Sequence, residues 1–310
     1  MYFKRLIIVV LLTWTAVWLT GKLFDYRYHK RWSYLYFDKI DQLLKKDSSY
    51  DVIFVGDSRT HEGINPFYVD SITGLNSYNF GFAGSDGEEL KLVSTLYLQS
   101  HQHPKLAVIT IDAGTLEPLR ILKQRFCYLS YMNNDNIAAY MSSNGFPKFI
   151  SYFPFLKYSF FDEYNRLSIF TEGSKIPQFD HNIYKGFLNV DQFVNRTGKI
   201  VFGNNIKEII SDTAVTDVKS AISLFVNRNI RVVLVYPPEK KSGIVFNSQV
   251  KKQADAILSS ISQEYKIPLW HFDTAAVYTN EYFVDDVHLN EPGTRIYSKQ
   301  IADSILSLLK

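Results

Sequence analysis

The chain reads as an α/β protein: three α/β/α layers around a five-stranded parallel sheet, with an N-terminal transmembrane helix and an inserted, mostly helical cap. Three observations predict this. Short runs of β-branched and aromatic residues alternate with helical patterns, the layout of strands joined by helical crossovers. A Lys/Arg-flanked apolar block opens the chain, and a stretch from about residue 116 to 204 breaks the alternation.

The apolar block runs from Leu6 to Leu19 behind Lys4 and Arg5, and Leu23 and Phe24 extend it to the length that crosses a bilayer core. No Ala-x-Ala cleavage site follows, so an uncleaved anchor is expected at residues 1–24, with membrane contact through residues 6–20. Positive residues flank both ends (Lys4 and Arg5; Lys22, Arg27, Lys30 and Arg31), so charge asymmetry does not set the orientation. Residues 25–50 carry an amphipathic pattern through Tyr34, Phe37, Ile40, Leu43 and Leu44, which predicts a juxtamembrane helix leading into a domain at 51–310.

Within that domain, strands are expected at Val52–Val55, Tyr78–Phe80, Leu106–Ile111, Ile230–Tyr236 and Ile267–Phe272. Helical patterns cover Glu88–Ser100, Ala214–Asn227 and Ser248–Tyr265, and a last helix near Thr294–Leu309 follows Glu291-Pro292-Gly293. Five strands connected this way make a flavodoxin-like core. The stretch at 116–204 is too long for a structureless loop in a compact domain. Its aromatic density, with Phe126, Tyr128, Tyr131, Tyr140, Phe153 and Tyr158 among others, suits either a small core of its own or stacking on sugar faces.

Composition excludes several classes of function. A formal charge of +3 over 310 residues, with the basic groups dispersed, leaves no footprint for nucleic acid. The single cysteine, Cys127, rules out an intrachain disulfide, and no His-Glu-x-x-His or Gly-x-x-x-x-Gly-Lys motif occurs. No metal or cofactor is expected.

The chemistry gathers at two distant places. The run Val52-Ile53-Phe54-Val55 ends at Gly56-Asp57-Ser58-Arg59, which puts a hydroxyl at the carboxyl end of a buried parallel strand, where ligands of open α/β sheets bind. Near the C-terminus, Asp285-Asp286-Val287-His288 supplies an imidazole and a carboxylate three residues before it. Serine is a weak nucleophile until an imidazole takes its proton and a third group orients that imidazole. Asp286 rivals Asp285 as the orienter, but a carboxylate three residues back curls onto the ring more easily. A solitary Gly-Asp-Ser or Asp-x-x-His also arises in ordinary surface turns.

Together, Gly56-Asp57-Ser58-Arg59, the stretch Asn79-Phe80-Gly81-Phe82-Ala83-Gly84 and Asp285-x-x-His288 resemble the first, second and fifth sequence blocks of the SGNH/GDSL hydrolase superfamily, in order and spacing. The resemblance spans roughly residues 50–115 and 228–310. It implies Ser58 as nucleophile, the N–H groups of Ser58 and Gly84 as oxyanion donors, His288 as base and Asp285 as its orienter. Relatives carry Gly-x-Asn-Asp after the third strand, whereas this chain reads Asp112-Ala113-Gly114-Thr115. An ionised Asp112 facing a developing oxyanion would oppose it, and Thr115 is the candidate stand-in donor.

Arg59, His61, Thr115 and Tyr236 are further candidate substrate contacts. For His61 the simpler reading is a capping or solvent-exposed histidine, and for Tyr236, beside Pro237 and Pro238, a plain turn.

The expected activity is that of an SGNH-type serine esterase or O-acyltransferase in the bacterial cytoplasmic membrane, its domain facing the periplasm or exterior. It would act on an acyl group, most plausibly acetyl, of an envelope polysaccharide or wall glycan. By class analogy it would work beside a multi-spanning acyltransferase. The competing readings are a catalytically silent module that binds or scaffolds glycan machinery, and a flavodoxin-like domain cradling phosphate at Gly56–Arg59.

Overall fold

A computed structural model describes residues 2–32, 36–117, 123–146, 148–153, 183–189, 210–240, 248–275 and 277–310. Two compact units divide it, residues 1–40 with 121–179, and residues 41–120 with 180–310.

In the first unit, helix α1 (Tyr2–Trp32) runs unbroken past the expected anchor boundary. Its segment Tyr2–Arg27 is long and apolar enough to cross a membrane, at about 39 Å for 26 residues. Leu6, Val9, Leu12 and Leu19 along it are exposed. The same unit holds 3-10 turns at Lys123–Tyr131 and Lys148–Tyr152 around a helix at Asp135–Ser143, capped by Asn134. Tyr128 and Tyr140 meet edge to face at 5.5 Å among buried Leu129, Met132, Ile137 and Met141, so these rings build a local core. Of the rest of the expected cap, residues 116–117 and 183–189 belong to the second unit, and the remainder, including Tyr158, lies outside the described residues.

The second unit carries the sheet. Strands β1 (Val52–Gly56), β2 (Ser77–Gly81), β3 (Leu106–Thr110), β6 (Arg231–Tyr236) and β7 (Leu269–His271) form one parallel sheet in the order β2-β1-β3-β6-β7. Leaving out the small hairpin of β4 (Ile183–Tyr184) and β5 (Phe187–Leu188), that is the flavodoxin-like order 2-1-3-4-5. Each expected strand appears, differing by one to three residues in length. β1 is buried along its whole length because helices cover both faces.

Alternation sorts the two faces. Val52, Phe54, Val108, Val233 and Val235 join one cluster with Val69 of α4 (Pro66–Thr73) and with Tyr297, Ile301 and Ile305 of the C-terminal helix (Glu291–Leu309). Ile53, Val55, Ala107, Ile109 and Leu234, equally buried, point to the opposite face. The helices Gly87–Ser100 and Asp212–Val226 pack against one another beside β1 and β6. Because β2 and β3 lie on either side of β1, the strand order reverses there, and a crevice opens at the carboxyl end of β1.

Candidate active site

At that crevice, Asp57 caps the one-turn helix α3 (Ser58–His61), its carboxylate accepting the Arg59 N–H at 2.9 Å. The turn is very tight. A Cβ on Gly56 would sit 2.2 Å from the Thr60 hydroxyl, and one on Gly81 would sit 2.6 Å from the His61 nitrogen. Gly56 and Gly81 are register partners, so two glycines on neighbouring strands leave α3 room to fold onto the sheet ends.

Asn79 completes the fastening. Its side-chain amide donates to the carbonyls of Thr60 at 2.6 Å and Ile64 at 2.7 Å, while its Oδ1 accepts the Gly81 N–H. One fully buried amide therefore ties β2 to the Ser58 turn and to the segment that follows it.

The C-terminal loop brings the second half. Phe283 bridges Leu289, and the Asp285 Oδ1 accepts the N–H groups of Val287 at 2.9 Å and His288 at 2.7 Å, which closes the loop around the histidine. Asp285 Oδ2 lies 2.7 Å from His288 Nδ1, and His288 Nε2 lies 2.8 Å from Ser58 Oγ. With Nδ1–H donated to Asp285, Nε2 presents its lone pair to the serine hydroxyl. Burial pushes the Asp285 carboxyl up, but hydrogen bonds from the His288 ring and from two backbone N–H groups hold it well below the usual carboxylate range. Asp286, the rival, turns toward Lys240 instead, at 3.8 Å.

Gly84 sits in the turn after β2 with φ +67°, the left-handed region open to glycine, and it is exposed.

The four candidate substrate contacts fare differently. Arg59 is buried and engaged through both terminal nitrogens: one meets Asp112 at 2.7 Å and Glu239 at 3.4 Å, the other the carbonyls of Pro237 and Pro238. It lines the cleft beside His288 but spends both terminal nitrogens on the protein. Thr115 is also buried, donating its N–H and hydroxyl to Asp112 Oδ1, so it is not an oxyanion donor in waiting. Both oxygens of Asp112 are thereby bound inward, and the repulsion expected of that carboxylate is offset by Arg59.

His61 is 1% exposed, which overturns the capping or solvent-exposed reading, because the tight turn folds it against β2. Tyr236 is fully buried as well. Its ring lies under the Arg59 guanidinium and the Lys251 ammonium, at 5.9 and 5.2 Å, where it cannot reach a substrate.

Two residues at the site had no role in the sequence reading. Asn79 stood within the quoted second block with no task assigned. Glu62, whose Oε2 lies 3.7 Å from His288 Nε2, was missed, although its position four residues after Ser58 would put it on the same face of a helical turn. Burial and repulsion from Asp112 push the Asp57 carboxyl up to about 7, against the pull of Arg59.

No protein-family model matches the chain, and no curated protein does. Solved structures do. A protein named for the G-D-S-L family of lipolytic proteins, from Desulfitobacterium hafniense DCB-2, aligns with a TM-score of 0.45 at 12% identity over 82% of this chain and 99% of its own. The lipase/acylhydrolase from Enterococcus faecalis gives 0.40 at 13% identity, covering 84% and 96%. A carbohydrate acetylesterase family member from Sinorhizobium meliloti gives 0.42 at 11%, covering 84% and 99%. In sheet order the chain is flavodoxin-like, and the turn that carries Ser58 and the Asp285–His288 pair before the last helix lie where the resemblance to the SGNH/GDSL hydrolases implies.

Proposed function

We propose that the chain is a membrane-anchored SGNH-type serine esterase or O-acyltransferase acting on an acyl group, most plausibly acetyl, of an envelope polysaccharide or wall glycan. The observation that carries this reading is the continuous hydrogen-bonded line from Asp285 through His288 to Ser58, 2.7 and 2.8 Å long, at the carboxyl end of β1. His288 takes the Ser58 proton, and Ser58 Oγ attacks the ester carbonyl. The oxyanion is held by backbone N–H groups, for which Ser58 and Gly84 are the candidates. The acyl-serine is then resolved by water or by a sugar hydroxyl. α1 holds the domain at the bacterial cytoplasmic membrane on the outer side, where a multi-spanning partner would supply acyl groups. The length and apolar surface of α1 support the anchoring step.

A fluorophosphonate probe tests this on the full-length chain. Wild type is expected to label and Ser58→Ala and His288→Ala to remain unlabelled. A folded wild type that resists the probe at neutral pH overturns the reading. Turnover of an acetyl ester with and without an added oligosaccharide acceptor then separates hydrolysis from transfer.

A further inference from the structure

The imidazole of His288 is flanked by carboxylates on both nitrogens. Asp285 holds Nδ1, and Glu62 stands on the Nε2 side, beside the serine. We infer that Glu62 is a positioning residue for the base: its charge raises the basicity of His288 and stabilises the imidazolium formed when Ser58 gives up its proton. This rests on the serine-hydrolase reading above and adds a residue to that site.

The geometry argues for a field effect. At 3.7 Å, Oε2 is beyond normal hydrogen-bond length from Nε2, while Ser58 Oγ occupies the hydrogen-bonding position at 2.8 Å. Glu62 thus leaves the serine in place and acts by Coulomb attraction. The side chains of Glu62 and His288 are only 7% and 9% exposed, so water screens them little. Backbone fixes the arrangement, since the Glu62 N–H donates to the Ser58 carbonyl at 2.8 Å and Thr294 of the last helix donates to the Glu62 carbonyl.

The proton's path shows when the charge matters. As Ser58 Oγ bonds to the ester carbon, its O–H bond breaks and the proton moves to Nε2. The ring then carries a positive charge between two carboxylates. On collapse, Nε2 returns that proton to the leaving alkoxide as the C–O bond breaks. An opposite charge this close favours the charged form of its neighbour by about one to three pH units.

Other groups also face or lie near this ring. Asp285 acts from its own loop, and Asp57, from the turn after β1, acts through space. Arg59 and Tyr297 line the same cleft, and Asp286 is engaged by Lys240.

The test is the rate of fluorophosphonate labelling of the full-length chain from pH 4.5 to 9, in an Asp57→Asn background so that Asp57 does not titrate within the acid limb. Glu62→Gln is expected to lower the midpoint of that limb by about one to three units. Glu62→Asp, which draws the carboxylate back by one methylene, should lower it less. A midpoint within about 0.3 unit of the parent in Glu62→Gln overturns the inference. Should Glu62→Gln not fold, an unshifted Glu62→Asp overturns it equally. A parent chain that fails to label at any pH defeats the hydrolase reading, which is a different result.

Discussion

The guanidinium of Arg59 and the carboxylate of Asp112 meet at 2.7 Å, with both side chains almost completely buried, and so join the serine turn to the end of β3. Glu239 and Lys251 continue the line to Asp273 through contacts of 3.4, 2.7 and 2.7 Å. Arg59 also binds the carbonyls of Pro237 and Pro238, which makes it the fastening between the carboxyl ends of β1, β3 and β6.

Removing one partner of a buried pair leaves the other charged and unpaired. Arg59→Met is therefore expected to destabilise the fold by about 3–5 kcal/mol. The double variant Arg59→Met/Asp112→Leu should recover a large part of that loss. Chemical denaturation of the two chains side by side checks this, and equal losses would contradict it.

Asp285→Asn keeps an oxygen for the Val287 and His288 N–H groups but puts an amide opposite Nδ1. The imidazole then favours the tautomer whose Nε2 carries the proton and cannot accept another from Ser58. We expect kcat on an acetyl ester to fall by about 10⁴ with KM little changed, the scale known for a triad aspartate. Steady-state kinetics decides it.

The raised Asp57 carboxyl makes stability depend on pH. Its pKa moves from 3.8 to about 7 on folding, so between those values the folded chain binds more protons than the unfolded one. Stability from this group is full below about pH 4 and is lost as pH rises through about 7. Asp57→Asn, whose Oδ1 can still accept the Arg59 N–H, should flatten that decline. Melting temperatures of both chains from pH 4 to 8 test the sign.

Asn79→Ala would leave the buried carbonyls of Thr60 and Ile64 and the Gly81 N–H without this partner. At about 1–3 kcal/mol for a buried group left unsatisfied, we expect a loss of at least about 2 kcal/mol together with slower fluorophosphonate labelling, because the same bonds hold the Ser58 turn. Asn79→Asp, which keeps the acceptor and loses both donors, should fail similarly. Labelling rate and denaturation midpoint together check this.

Much of the architecture was readable along the chain. The apolar runs at Val52–Val55 and Leu106–Ile111 marked strands because strands buried on both faces must be apolar at every position. Ser58, Asp285 and His288 were legible for a related reason: short motifs encode local turns, and those turns aim the side chains. The sequence reading went astray where partners come from far away. Arg59 and Tyr236 looked free to meet a substrate, yet the fold packs them against residues up to 180 positions distant, while Thr115 turns inward onto Asp112 only three positions away.

The sequence alone determined the alternation that builds the sheet, the apolar length of α1, and the residue types that make a Ser–His–Asp line chemically competent. Tertiary structure alone decided that Asp112 is bound by Arg59 rather than facing a ligand, that Ser58 Oγ and His288 Nε2 meet across 230 positions, and that Glu62 lies beside Nε2. The physical reason is that hydrophobic periodicity is a local property of the chain. The partner of a buried charge is chosen by which strand ends the sheet order brings together.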